Sequence, residues 1–134
     1  MTREFVFSTK EQKELLNVTD DVERVVEESD IKEGICLVFV PHATAAIVLN
    51  EDEAGLKSDI KNLLENWIPN KSWQHNAIDN NATAHIASAL IGQSRLIPIV
   101  DGKLALGTWQ EIFLVELDGP RPHRRVIVNA LAGK

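Results

Sequence analysis

The sequence predicts an α+β fold: a single compact domain over residues 1–134, with a mixed, largely antiparallel sheet and about three helices. A chain of 134 residues is long enough for one hydrophobic core. Short apolar stretches rich in β-branched residues are interspersed with segments of helical spacing. The Asp101-Gly102 pair between two apolar stretches marks a hairpin. Hairpins combined with separated helices are typical of the α+β class.

The N-terminal third predicts two strands followed by a helix. Residues 3–8 and 12–18 are short apolar stretches with charged residues around the turn between them. The segment 17–31 has one apolar side at helical spacing, formed by Val22, Val25 and Val26. Thr19 or Asp20 is placed to cap this helix.

The middle of the chain predicts two more strands and a second helix. Residues 35–41 are apolar on both sides, so we expect both faces of this strand to be covered. The segment 42–52 continues as a strand, and a helix over 51–66 follows, capped by Asn50. The core stripe of this helix is Leu56, Ile60, Leu63 and Leu64.

The last part of the chain predicts a third helix and a series of strands. Residues 82–92 are nearly all apolar or small, so we expect a helix buried on most sides. Asn80 or Asn81 is placed to cap it, and Gly92 to end it. The predicted strands that follow are the hairpin over 96–106 and the stretches 107–119 and 123–131.

Composition excludes several classes of function. The net charge of −6 and the pI of about 5.2 argue against a general nucleic-acid binder, which needs a basic surface. No apolar run approaches the roughly 20 residues of a membrane span, and the first residues lack the apolar core of a signal peptide. We therefore expect a cytoplasmic protein without a membrane partner. The single cysteine, Cys36, lies in an apolar strand and is expected to be a buried hydrophobe.

Histidines are the strongest candidates for chemistry. His75 and Asp79 are four residues apart, and His85 follows in the third predicted helix; His42 lies at a strand edge beside Thr44. Imidazoles with a carboxylate suit zinc, and they also suit general acid–base work. We expect one small pocket, formed by the stretch 73–92 and completed by the His42 strand. For His85 the alternative is a hydrogen-bonded core histidine, and for His75 a solvated loop residue.

Two further stretches carry polar candidates. In an extended segment, His42, Thr44 and Asn50 would share one face. Glu51 could then face the histidines, although carboxylates there also favour a helix N-terminus.

In GTWQ, at 107–110, Thr108 and Gln110 alternate onto one face and could bind a ligand, with Trp109 packed on the other. Alternatively, Gln110 pairs with a neighbouring strand. The chain has no phosphate-binding glycine loop, no GxSxG elbow and no CxxC pair.

Three stretches together resemble the YjbQ-like family, also called uncharacterised protein family UPF0047: PHATAAIVLNEDE, WQHNAIDNNATAH and IPIVDGKLALGTWQEIFLVELDGPRPHRRVIV. Their order and spacing are specific, and the resemblance runs from about residue 4 to the C-terminus. One departure is Ala43, where the family commonly has a hydroxyl residue. The resemblance implies a compact α+β homotrimer with its polar residues near subunit contacts.

The resemblance also implies roles for individual residues. The catalytic candidates are His42, Glu51, Asp79 and His85. The substrate-binding candidates are Thr44, Asn50, Asn81, Thr108 and Gln110. The candidate ligands for a divalent metal, zinc or magnesium, are His42, His75 and His85.

The activity that the resemblance implies is a secondary thiamine-phosphate synthase reaction. That reaction joins a pyrimidine pyrophosphate to a thiazole phosphate and expels pyrophosphate. Arg95, Lys103 or an arginine from 121–125 could meet the phosphates. Two alternatives stay open: a metal-dependent hydrolase of a small metabolite, and a noncatalytic trimer that binds a metabolite or metal.

Overall fold

The computed structural model of the chain describes residues 1–134 and has the predicted α+β fold. The eight strands are β1 (Thr2–Phe7), β2 (Glu14–Asn17), β3 (Gly34–Phe39), β4 (Ala45–Asn50), β5 (Ser94–Val100), β6 (Lys103–Leu104), β7 (Glu111–Glu116) and β8 (Arg124–Ala132). The three α-helices are α1 (Thr19–Ser29), α2 (Ala54–Trp67) and α3 (Ala82–Ile91), and a short 3₁₀ helix covers Gln74–Ala77. None of the helices has both the length and the apolar character needed to cross a bilayer.

The strands divide between two sheets rather than forming one. A five-stranded sheet has the order β1-β8-β3-β5-β6, and a three-stranded sheet has the order β2-β7-β4. Every pairing is antiparallel, so neither sheet is mixed. The two sheets pack face to face, and α3 lies on the other face of the smaller one.

Two hydrophobic clusters hold these layers together. The larger joins α1 to the inner faces of both sheets and includes Val22, Val25, Val38, Ile47, Ile97, Leu114 and Val128. The smaller joins α3 to the three-stranded sheet through Ala46, Ala84, Ala87, Val115 and Leu117. The alanines of α3 allow the helix to lie close to the sheet. The strand that is covered on both faces is therefore β7, in which every residue from Ile112 to Glu116 is buried.

The expectation that residues 35–41 are covered on both faces is wrong for the single chain. Cys36 and Val38 point into the core, whereas Ile35 and Phe39 are exposed on the outer face of the five-stranded sheet. No other layer of the same chain lies on this face. Its exposed apolar side chains are Val6, Ile35, Phe39, Leu96, Val100 and Leu131. Burial raises the pKa of the Cys36 thiol to about 11, as expected for a structural cysteine.

The first two helices begin differently from the sequence prediction. Val18 is the N-cap residue of α1, and the amide of Thr19 donates to the Asn17 side chain. The Thr19 hydroxyl is turned inward, where it accepts a hydrogen bond from the amide of Ile112. Glu53, not Asn50, caps α2, because Asn50 is still part of β4.

The remaining helix predictions have mixed outcomes. No residue of α2 is fully buried, and Leu63 of its predicted core stripe is exposed. Only one face of α3 is buried, since Leu90 on the other face is exposed. Gly92 ends α3 with a φ of 100°, as predicted. Asp101 and Gly102 form the predicted turn, with φ values of 52° and 79°.

A buried ion pair joins the two sheets at one end. Glu116 ends β7, Arg124 begins β8, and their exposed fractions are 0% and 4%. Arg124 Nε donates to both carboxylate oxygens of Glu116, at 2.9 and 3.1 Å, and its Nη2 donates to Oε2. The hydroxyl of Thr9 donates to Glu116 at 2.6 Å, and Arg124 Nη2 donates to Thr44 Oγ1 at 2.9 Å. Every buried polar side-chain atom has a partner.

The ionised form of Glu116 is strongly supported. Burial alone would raise the pKa of Glu116, but hydrogen bonds from Arg124, Thr9 and the backbone of Asp118 outweigh burial and lower it. The carboxylate therefore stays charged at neutral pH and depends on Arg124 for compensation.

Replacing Arg124 with methionine should lower the free energy of unfolding by about 3–5 kcal/mol, because it leaves the Glu116 carboxylate buried without its partner. The matched control is Arg125→Met, which removes the neighbouring arginine from an exposed pair with Glu4. That variant should lose less than about 1 kcal/mol. Urea unfolding at one fixed protein concentration measures both, and equal losses would contradict the role given to the buried pair.

Candidate functional site

His75 and His85 face the same pocket. Their ring centroids are 4.4 Å apart, and the rings meet edge to face at 60°. The pocket has a volume of about 540 Å³ and is lined by Lys71, Ser72, Trp73, Gln74, His75, Ala82, His85 and Ile86. One wall is the loop and 3₁₀ helix that precede α3, and the other is the first turn and a half of α3 itself.

The pocket histidines have ring nitrogens that protein atoms do not occupy. His75 Nε2 lies 2.8 Å from Asn81 Oδ1, but His75 Nδ1 has no protein partner. Neither ring nitrogen of His85 has a protein partner. Because no buried side-chain nitrogen or oxygen lacks a partner, these three nitrogens are accessible to solvent. They can therefore accept a proton from a small molecule in the pocket or donate one to it.

Lys71 supplies the positive charge of the pocket. Its ammonium group lies 4.4 Å from the centroid of the Trp73 ring, which is a cation–π distance. The Trp73 indole N–H donates to the Pro69 carbonyl at 2.9 Å and so holds the ring in place. A lysine, an aromatic surface and two imidazoles are groups that can bind a small anionic molecule with a planar part.

Asn81 is part of a hydrogen-bond chain that leads away from the pocket. Its Nδ2 donates to Asp118 Oδ2 at 2.8 Å, and Arg121 Nη2 donates to the same oxygen at 2.8 Å. Asn81 also occupies the N-cap position of α3, although the side chain that accepts from the Ala82 amide is that of Asn76.

His42 lies outside this pocket, in the loop between β3 and β4. Its Nε2 accepts a hydrogen bond of 2.9 Å from the backbone N–H of Arg125, so Nδ1 carries the proton of the neutral ring. Burial lowers the pKa of His42, and the positive charges of Arg124 and Arg125 lower it further. The ring is thus neutral at physiological pH, and its remaining polar atom is a hydrogen-bond donor.

The expected single pocket completed by the His42 strand is therefore not formed within one chain. The structure brings together His75, His85 and Asn81, but not His42. Asp79 is exposed, and its carboxylate contacts no protein donor. Thr44 is buried, and its hydroxyl is occupied by Arg124.

Asn50 and Glu51 lie at the opposite end of β4 from His42 and Thr44. The six residue steps from Thr44 to Asn50 span about 20 Å at the rise of an antiparallel strand. Thr44 and Asn50 are therefore too far apart to line the same small pocket. Asn50 accepts a hydrogen bond from the amide of Glu51, and both residues lie beside the start of β7.

The GTWQ stretch forms a turn rather than the start of a strand. Gln110 Oε1 accepts from the amide of Gly107 at 2.8 Å, so this side chain closes its own turn. Thr108 is exposed, and Trp109 is 71% exposed instead of packed. Because Glu111 pairs with Asn50, the turn lies at the same end of the three-stranded sheet as Asn50 and Glu51.

The donor set of one chain only partly suits a metal ion. His75 Nδ1 and His85 are imidazole donors, which zinc accepts more readily than magnesium does. His42 is outside the pocket and its Nε2 is occupied. No group of three or more His, Cys, Asp or Glu side chains converges within the chain. A tetrahedral ion here would need its other ligands from water, substrate or a second copy.

Several residues of the site carry little or no sequence signal that singles them out. Lys71 and Trp73 precede His75 in KSWQH, and a cation two residues from an aromatic ring is a usable but weak hint. Asp118 lies in LDGP, which reads as an ordinary turn. Its contact with Asn81 joins residues 37 positions apart, which only the fold reveals.

Residues 3–133 match the family model described as UPF0047 protein YjbQ-like. A UPF0047 protein of Archaeoglobus fulgidus is 47% identical over 129 residues, which cover 96% of this chain and 99% of that protein. The Bacillus subtilis protein YugU is 33% identical and covers 90% of this chain and 92% of its own. The crystal structure of a YbjQ-like protein of unknown function from Sulfolobus solfataricus has a TM-score of 0.96 at 50% identity, covering 98% of this chain and 96% of that one.

The lowered pKa of His42 makes stability depend on pH. Unfolded His42 takes up a proton near its ordinary value of 6.5, while the folded ring stays neutral to lower pH. The free energy of unfolding should therefore fall as pH drops from about 6.5 towards the lowered folded pKa. His42→Gln, which keeps an acceptor for the Arg125 amide, should flatten this part of the profile. Denaturant unfolding from pH 7.5 to 5 measures this pH dependence, and His123→Gln, at an exposed histidine, is the control. A flatter profile in the control alone would contradict the assignment of the pH dependence to His42.

Proposed function

The chain belongs to the UPF0047 YjbQ-like family, and from that premise we propose that its His75–His85 pocket is a small-molecule site with weak transferase activity. The observation that carries this proposal is the convergence of two imidazoles whose free nitrogens face solvent in one pocket. Groups of this kind transfer protons near neutral pH. Lys71 would attract the anionic end of the substrate, and Trp73 offers a surface for a flat ring.

The reaction proposed is the one that the family resemblance implies, the formation of thiamine phosphate. In it, the thiazole nitrogen forms a C–N bond to the pyrimidine methylene carbon, whose C–O bond to pyrophosphate breaks. His75 Nδ1 would accept a hydrogen bond from substrate, and His85 would donate one to a leaving oxygen. Lys71 is the only lysine or arginine that lines the pocket, so the charge of departing pyrophosphate is only partly neutralised. A slow reaction that needs added magnesium is consistent with this.

A zinc-dependent hydrolase is the second candidate, favoured by the two unoccupied imidazoles. Zinc held by His75 Nδ1 and His85 would supply Lewis acidity to a bound substrate. The other ligands of the zinc ion would come from outside the pocket that one chain forms. We therefore propose this function only for the assembled protein. A noncatalytic binding protein would use the same groups without turnover.

We also propose that the protein is a homotrimer, as the family resemblance implies. What supports self-association is the outer face of the five-stranded sheet, where six large apolar side chains are exposed. Several large exposed apolar side chains on one sheet face are typical of protein interfaces. In the assembled protein, a second copy could also contact the end of the three-stranded sheet that carries Asn50, Glu51 and Gln110.

The transferase proposal predicts that His75→Gln and His85→Gln each lower the rate of thiamine phosphate formation by at least about tenfold. The assay supplies the pyrimidine pyrophosphate, the thiazole phosphate and Mg²⁺, and detects the new C–N bond by mass spectrometry. His123→Gln, outside the pocket, is the matched control. Full activity in both pocket variants would reject the proposal. Hydrolysed substrate that appears only with zinc would favour the hydrolase, and a melting shift without turnover would favour the binding protein.

The trimer proposal predicts that Leu96→Lys shifts the chain towards monomer, because it puts a charge on the outer face of the five-stranded sheet. Leu90→Lys is the matched control, since the two leucines are 63% and 64% exposed and Leu90 is on α3 instead. Native mass spectrometry and light scattering give the mass. A monomeric wild-type protein, or an unchanged trimer in Leu96→Lys, would contradict the proposed interface.

A further inference from the structure

We propose that Asp118 is a positioning residue that acts through Asn81 to fix the tautomer of His75, leaving Nδ1 as the acceptor that faces the pocket. This inference rests on the proposed function of the pocket and adds how that site is oriented. The chain of contacts is His75 Nε2 to Asn81 Oδ1, Asn81 Nδ2 to Asp118 Oδ2, and Arg121 Nη2 to the same carboxylate oxygen, each at 2.8 Å.

Asp118 is itself held on several sides. Arg121 donates to its carboxylate through Nη2 and to its backbone carbonyl through Nε, at 2.8 and 2.9 Å. The backbone amide of Asp118 donates to Glu116 Oε2 at 3.1 Å. The amide of Arg121 donates in turn to the hydroxyl of Thr9, which is bonded to Glu116. The carboxylate of Asp118 is therefore fixed relative to the buried ion pair.

The orientation of Asn81 follows from this fixed carboxylate. An ionised carboxylate only accepts hydrogen bonds, so the Asn81 group that faces it must be the amide NH₂. The carbonyl oxygen of Asn81 is then turned towards His75. An amide oxygen also only accepts, so His75 Nε2 must carry the hydrogen. A neutral imidazole has one N–H, and Nδ1 is left with a free lone pair.

Without the Asp118 carboxylate, nothing would fix which end of the Asn81 amide faces His75. The Asn81 amide could turn over and present its NH₂ to His75 Nε2, and the hydrogen of His75 would then move to Nδ1. The pocket would lose its acceptor and gain a donor at the same atom. The tautomer is thus set by a residue that does not line the pocket, in the way that partners of metal-bound histidines set theirs.

The test is the ring ¹⁵N spectrum of the native protein labelled in its histidines, recorded at a pH where the spectra show all four rings to be neutral. His75 is assigned by its absence from the His75→Gln spectrum. We expect the Nε2–H form to predominate, and Asp118→Ala to lower the ratio of Nε2–H to Nδ1–H by about fivefold, the effect of one net hydrogen bond.

Two variants separate positioning from mere support of the fold. Asp118→Asn keeps an oxygen for Asn81, since Arg121 donates to the same position and selects the amide oxygen there, and should keep the wild-type tautomer ratio. Asp21→Ala is the matched control. It removes the pair of Asp21 with Arg24, which has the same i,i+3 spacing as the pair of Asp118 with Arg121 but lies in α1. It should leave the His75 spectrum unchanged.

Two results would overturn the inference: a predominant Nδ1–H form in the wild type, or the wild-type ratio in Asp118→Ala. Both are read without any enzyme assay, so a missing transferase activity leaves the test of Asp118 intact. Where activity is present, Asp118→Ala should lower kcat more than it changes KM, and Asp118→Asn should restore kcat.

Discussion

The salt bridge between Glu116 and Arg124 is the interaction on which the organisation of this end of the molecule depends. It joins the last residue of β7 to the first residue of β8, and hence one sheet to the other. Thr9, Thr44 and the backbone of Asp118 are all bonded to it. A buried pair need not add net stability over apolar side chains, but its geometry is demanding. It therefore fixes where three loops run, including the one that carries His42.

The candidate pocket is built at the edge of this fixed framework. Its inner wall is α3, which lies close to the three-stranded sheet because alanines face that sheet. Its outer wall is the loop and 3₁₀ helix over 71–77, which contacts the start of α3. Asn81, at the start of α3, bonds to His75 in the outer wall and to Asp118 in the loop after β7. The geometry of the pocket thus depends on a few polar contacts rather than on a deep core.

Local patterns in the sequence were sufficient for the fold class and for most elements. The valines of α1, Gly92 after α3 and the Asp101-Gly102 turn follow from spacing and backbone preference, which are local properties. The division into two sheets, the double coverage of β7 and the exposed face of β3 depend on which strands pair, and pairing is not local. The site divides in the same way: His75 and His85 were identified, whereas Asp118 and the separation of His42 from them required the tertiary contacts.

The pairing of β1 with β8 has a consequence for how the chain folds. β8 lies between β1 and β3, so the five-stranded sheet is in two unconnected pieces until residues 124–132 enter it. The same strand brings Arg124, and Glu116 has no counter-charge before it arrives. Closing a loop of more than a hundred residues is slow, because its entropy is lost before the contacts form. Any state in which residues 124–132 have not yet entered the sheet therefore exposes open strand edges and leaves the charge of Glu116 uncompensated.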